Sequence, residues 1–151
     1  MNVTFEISKK LKDAGINLTC DYAYITNNNP YLYQEGIYPY QEGICEHLEG
    51  KLIKNYDDPF WFLKIASDDY ACAPTIEDVL KYFRDESMYN IFATHYWYKS
   101  EMCWQYNIDD LGFHPSKTIL SPMNGEYMDW EDAIMNAIDT VLNKLLTIKK
   151  D

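Results

Sequence analysis

The feature that most constrains this chain is a pair of aromatic-rich segments within residues 91–108. In the second segment Met102, Trp104, Tyr106 and Ile108 alternate with Cys103, Gln105 and Asn107. Successive side chains of a strand point to opposite faces, so the alternation predicts a strand with one apolar and one polar face. Ile91 to Tyr98 reads as its antiparallel partner, joined to it by the short Lys99-Ser100-Glu101 connection. A sheet with one apolar face has to be covered by something.

Two later segments have the period to cover it. Ile76, Val79, Leu80 and Phe83 fall on one face of a helix. Thr75 opens that helix by accepting a backbone N–H near Asp78, and Glu77 and Asp78 favour the positive end of its dipole. It should end near Asp85-Glu86-Ser87. The second segment carries Ile134, Ala137, Ile138, Val141, Leu142 and Leu145 at helical spacing, with Asp129 as its cap. Lys117 to Ser121 reads as a third short strand before the breakers Pro122 and Asn124-Gly125. The expected fold is therefore α+β, an antiparallel sheet of about three to five strands with helices on one face. Its C-terminal half runs helix, hairpin, strand, helix. Double-stranded-RNA-binding domains share that order, but Trp130-Glu131-Asp132 stands here where they cluster lysines, so the likeness is topological.

The first half is less regular. Val3, Ile7, Leu11 and Ala14 predict a helix over 4–13, with Gly15 as a left-handed stop and Ile16 folding back over it. Thr19 to Ile25 reads as a strand, and so does the aromatic run Phe60 to Ile65 after the turn Asn55-Tyr56-Asp57-Asp58-Pro59. Both are expected to extend the C-terminal sheet. Between them Tyr33-Gln34-Glu35-Gly36-Ile37 recurs seven residues later as Tyr40-Gln41-Glu42-Gly43-Ile44. Glycines and Pro39 argue against a heptad helix and for an aromatic loop or irregular edge strand. Tyr31, Tyr33, Tyr38 and Tyr40 are candidates for a contact surface, since tyrosine buries much area at small entropic cost; packing over the core explains them equally well.

Charge narrows the function. The 151 residues hold 24 Asp and Glu against 13 Lys and Arg, a formal charge of −11. Residues 55–143 alone carry 16 acids and five bases, and Arg84 is the single arginine, so direct nucleic-acid binding is disfavoured. No run approaches the roughly 18 apolar residues of a membrane span. Met1 to Lys10 lacks the basic and then apolar pattern of a secretory signal, so a single cytoplasmic domain over residues 1–151 is expected.

Cys20, Cys45, Cys72 and Cys103 form no Cys-x-x-Cys pair and are expected as thiols rather than a disulfide framework. Cys45 with His47, or His95 with Cys103, fall short of the four ligands of a zinc site, so no metal or other cofactor is expected.

No motif assigns an activity. The pairs Asp57-Asp58, Asp68-Asp69 and Asp109-Asp110 lie where turns are expected, and neighbours in a strand point to opposite faces, so none reads as a glycosidase dyad. His95 and Cys103 are the best Cys-His pair if they meet diagonally across the hairpin, though ordinary sheet packing accounts for both. Phosphate loops, esterase elbows and zincin helices are absent. Two readings follow. One is a non-catalytic acidic protein-interaction module, binding another protein or a second copy, with an inhibitor that imitates nucleic acid as its sharper form. The other is a small hydrolase or ligand-binding domain with an aromatic pocket at His95, Trp97 and Trp104.

At Ala73-Pro74-Thr75, at Tyr82-Phe83-Arg84, in the tyrosine-rich hairpin, and from Tyr127 through Trp130-Glu131-Asp132-Ala133, the chain resembles small uncharacterised proteins of Bacteroidetes genomes and their prophages. The resemblance covers about half the chain. It implies a common fold and a mobile-element origin and supplies no catalytic residues.

Overall fold

The computed structural model describes residues 1–28 and 48–150, an α+β arrangement of two three-stranded antiparallel sheets and four helices. Helix α1 (Phe5–Asp13) starts at Thr4, whose hydroxyl accepts the Ile7 N–H. It stops as its sequence predicts. Gly15, at φ 75°, donates to the Lys12 carbonyl and Ile16 to that of Leu11, the paired bonds of a Schellman stop, with Ile16 buried over the helix end.

Strand β1 (Tyr22–Ile25) then lies between β2 (Leu52–Lys54) and β3 (Tyr70–Cys72). Ala23 and Ile25 point into a small core with Leu48, Trp61 and Tyr70. This sheet is separate from the hairpin and does not extend it, contrary to the sequence expectation. Both sides of β1 are taken by neighbours, Ala23 pairing with Ile53 on one side and Cys72 on the other.

The run expected as a strand at Phe60–Ile65 is helix α2 (Trp61–Ala66). Short apolar runs do not distinguish strand from helix, and here the polar turn decides. Asp58 accepts the Phe60 N–H at 2.9 Å and pairs with Lys64 at 2.6 Å, which folds the segment back on itself. Of its large side chains only Trp61 is buried, its indole N–H donating to the Cys20 carbonyl, while Phe60, Phe62 and Leu63 face solvent.

The thiols expected at Cys20 and Cys72 are instead joined as a disulfide. Antiparallel pairing of β1 with β3 brings residues 52 apart in sequence to a Cα separation of 6.0 Å, which spacing in the sequence does not show.

The larger unit matches its prediction. Helix α3 (Ile76–Glu86) begins with the Thr75 hydroxyl accepting the Asp78 N–H and buries Ile76, Val79 and Phe83. Strands β4 (Tyr89–Tyr98) and β5 (Glu101–Asp110) pair along their whole length, and β6 (Lys117–Leu120) adds to β5. Only Lys99 and Ser100 form the turn between β4 and β5, both at positive φ, as the primed hairpin turn requires. Helix α4 (Trp130–Lys150) is entered at Asp129, which accepts the Asp132 N–H, and buries Ile134, Ala137, Ile138, Val141 and Leu142.

These helix stripes meet Tyr89, Ile91 and Ile108 of the sheet and Val3, Ile7 and Leu11 near α1 in one core. Helix α1 links the two sheets. Its Lys10 pairs with Asp139 of α4 at 2.5 Å, and its Lys12 donates to the carbonyls of Ser67 and Tyr70 beside the small sheet.

Candidate functional site

The pairing register sorts the hairpin side chains. Ile91 faces Ile108, Ala93 faces Tyr106, His95 faces Trp104 and Trp97 faces Met102, so all eight share one face. The helices cover the first part of that face and not the last. Tyr89 and Ile91 are 9% and 6% exposed, whereas Met102 is 39% and Trp97 71% exposed at the far end.

The sequence-selected residues His95, Trp97 and Trp104 are thus brought together. His95 meets Trp104 edge-on, with ring centroids 5.4 Å apart. They form a projecting aromatic surface, since Trp97 stands out into solvent. Among the described residues, hollows lie elsewhere: about 20 Å³ beside Ser8 and Cys72, about 320 Å³ along Asp78, Lys81 and Asp85, and about 490 Å³ between Phe60 and Tyr70. The first has room for a single water.

His95 and Cys103 do not meet in the way a Cys-His pair needs. Cys103 lies directly opposite Tyr96, so it points to the other face of the sheet from His95. It is 1% exposed, with its sulfur 3.7 Å from that of Met128. The segment bearing Met128 crosses that face: the Gly125 N–H donates to the Tyr96 hydroxyl, and a side chain at Gly125 would run into the Tyr98 ring. Tyr31, Tyr33, Tyr38 and Tyr40, like Cys45 and His47, lie outside the described residues. Among the described residues no three His, Cys, Asp or Glu side chains converge as metal ligands.

Burial holds the phenols of Tyr89 and Tyr127 above the ordinary tyrosine range, with the nearby carboxylates of Asp110 and Glu126, respectively, pushing the same way. Tyr127 extends the apolar face, pairing in a bridge with Trp104 and packing its ring 6.0 Å from that of Tyr106.

Sequence reasoning missed the main-chain half of this surface. On β5 the Trp104 N–H donates to the Tyr127 carbonyl, and Tyr106 exchanges bonds with Ser121, so these residues turn their main chain away from β4. Antiparallel ladders alternate, which assigns the β4–β5 bonds to the pairs Thr94–Gln105 and Tyr96–Cys103 and their even-numbered neighbours on β4. Tyr89, Ile91, Ala93, His95 and Trp97 therefore direct their N–H and C=O groups outward. Among the described residues nothing bonds to them. The alternation and hairpin length carry this signal, once the turn is known to hold two residues.

Compared with known proteins, the chain matches no protein-family model, no curated protein and no solved structure.

Proposed function

We propose that this is a non-catalytic protein-binding module whose contact surface is the projecting end of the β4–β5 hairpin. One observation carries the reading: Trp97, 71% exposed, stands with Met102, His95 and Trp104 on a face that the protein's own helices leave open. Tryptophan anchors of this kind dominate protein interfaces, because a large rigid ring buries much area for few frozen torsions. A mobile-element origin agrees with the resemblance to prophage proteins. A cytoplasmic setting would hold Cys20 and Cys72 as thiols, whereas an oxidising one would keep their bond. No described helix is long and apolar enough to cross a membrane.

A second reading draws on the exposed Glu77, Asp78, Asp85 and Glu86 of α3. Such a row suits a basic, nucleic-acid-binding partner, with the protein acting as its inhibitor.

The test is affinity capture from nuclease-treated host lysate, comparing wild type with Trp97→Ala and with Asp78→Asn/Asp85→Asn. The proposal expects one stoichiometric partner that Trp97→Ala loses. Loss only with the α3 double variant, together with release as salt rises, would move the site to the acidic row. A partner retained equally by all three proteins would overturn both readings.

A further inference from the structure

The four outer strands of the two sheets differ in how they meet solvent. Strands β2 and β3 are three residues long, and β6 is four residues long, starts at Lys117 and is flanked by Pro115 and Pro122. Short strands, lysines and prolines are the usual means of keeping a sheet edge from pairing with another chain. Strand β4 has none of them. Its ten residues, Tyr-Asn-Ile-Phe-Ala-Thr-His-Tyr-Trp-Tyr, include no proline, lysine or carboxylate, and five of them present outward main-chain groups that no described residue pairs.

We infer that β4 is the pairing edge for a second copy of this chain, joined antiparallel across a two-fold axis at Ala93 into one continuous six-stranded sheet. This rests on the reading of the hairpin as a protein contact surface and names its occupant.

Three observations select a second copy. First, identical strands related by a two-fold axis are necessarily antiparallel, and centring on Ala93 pairs every outward-facing residue: Ala93 with itself, Ile91 with His95 and Tyr89 with Trp97 of the other copy. Second, this register exchanges the covered and open ends of the apolar face. Tyr89 and Ile91 lie beneath helices while His95 and Trp97 do not, so the two-fold sets each copy's helix layer beside the other's exposed aromatic end. The smallest side chain of the edge falls on the axis, where two copies crowd most. Third, a chain of charge −11 repels its own copy, and β4 is a ten-residue stretch without a carboxylate along which two copies can approach.

Charge also separates this occupant from a basic one. Salt screens repulsion between two acidic copies, so self-pairing should tighten as salt rises, whereas binding to a basic partner weakens.

Sedimentation velocity on the full chain over a concentration series, at about 0.05 and about 0.5 M salt, tests the inference. Wild type should sediment as a dimer of the 17.8 kDa chain and more tightly at high salt. Ala93→Pro removes an outward N–H without touching the β4–β5 ladder, and should weaken the dimer about 100-fold, since each copy leaves one acceptor unpaired. Trp97→Lys alters a side chain that already faces solvent, and should weaken the dimer even if Ala93→Pro disturbs the fold by circular dichroism. In the dimer the amides of Ile91, Ala93 and His95 should exchange with solvent slowly, and in the Trp97→Lys monomer quickly.

A wild-type monomer up to about 1 mM overturns self-pairing. So does a dimer that both variants leave intact or that loosens with salt. A monomer that still captures a lysate partner through Trp97 overturns the occupant alone and leaves the contact surface standing.

Discussion

The two sheets solve the same problem by different means. The small one has strands of three and four residues, too short to bury much surface, and its core is Ala23, Ile25, Leu48, Trp61 and Tyr70. It is held by a covalent bond and by polar stitching: the Cys20–Cys72 disulfide, the Tyr24 hydroxyl on the Val3 carbonyl at 2.8 Å, and Lys12 on two carbonyls. The large sheet has two ten-residue strands beside the short β6 and two amphipathic helices, and little besides apolar packing is needed to keep it together. A sheet with area to bury needs helices, and a sheet without it needs a staple. The two should therefore fail under different insults.

The largest effect should come from the apolar core. Phe83 is fully buried where α3 meets the rest of the main cluster. Phe83→Ala should destabilise the protein by about 4 kcal/mol, measured as a shift of the urea midpoint. Because the cluster joins α1, α3, α4 and the hairpin, protection of β4 and β5 amides should fall with global stability. Loss confined to the small sheet would break the comparison.

Removing the staple comes next. Closing a loop between residues 52 apart restrains the unfolded chain by up to about 4 kcal/mol, and native sites commonly yield about 2–4 kcal/mol. Cys20→Ser/Cys72→Ser, or reduction, should raise hydrogen exchange in β1 and β3 while β4 and β5 keep their protection. Of the two thiols that reduction makes, that of Cys72 has an acceptor in reach, since its sulfur lies 3.1 Å from the Leu18 carbonyl. Equal loss of protection in both sheets would show that the disulfide secures the whole molecule.

A smaller test bears on the helix layer alone. Asp129 accepts the Asp132 N–H at 2.8 Å and so satisfies one of the open donors at the start of α4. Asp129→Ala should cost about 1 kcal/mol and leave any partner binding unchanged. Binding lost at unchanged stability would place this helix start in the contact surface.

The same contrast explains what the sequence disclosed. Helix stripes, caps and the hairpin alternation are local, periodic signals, and α1, α3, α4, β4 and β5 could be read from them, down to the Gly15 stop. The small sheet is made by non-local pairing of short strands, which leaves no period to read. So the strand expected at Phe60–Ile65 became a helix once Asp58 turned the chain, and the earlier strands formed a sheet of their own. Cys20 found Cys72 only because β1 lies against β3. Of the candidate site, His95, Trp97 and Trp104 were legible as one aromatic face because side-chain parity fixes it. The His95–Cys103 pairing failed on the same rule, since the register sets odd-numbered residues of β4 on one face with even-numbered residues of β5, and Cys103 faces Tyr96 on the other side. Neither the extent of helix cover nor the free main-chain edge has a composition signal.

The smallest expected effect sharpens the view of the hairpin itself. Lys99 at φ 47° and Ser100 at φ 67° occupy a turn that Asn-Gly fills without strain. A side chain held in the left-handed region costs about 1 kcal/mol, and glycine avoids that cost but loses part of the gain to its freer unfolded state. Ser100→Gly should therefore stabilise the chain by about 0.5 kcal/mol, seen as a small rise in the urea midpoint. Since the turn lies beyond the last core contact of the hairpin, the gain should appear as slower exchange at the tip, around Tyr98 and Glu101, with the small sheet unchanged. Stabilisation that also reached β1 would mean that the two sheets are energetically one unit despite their different construction.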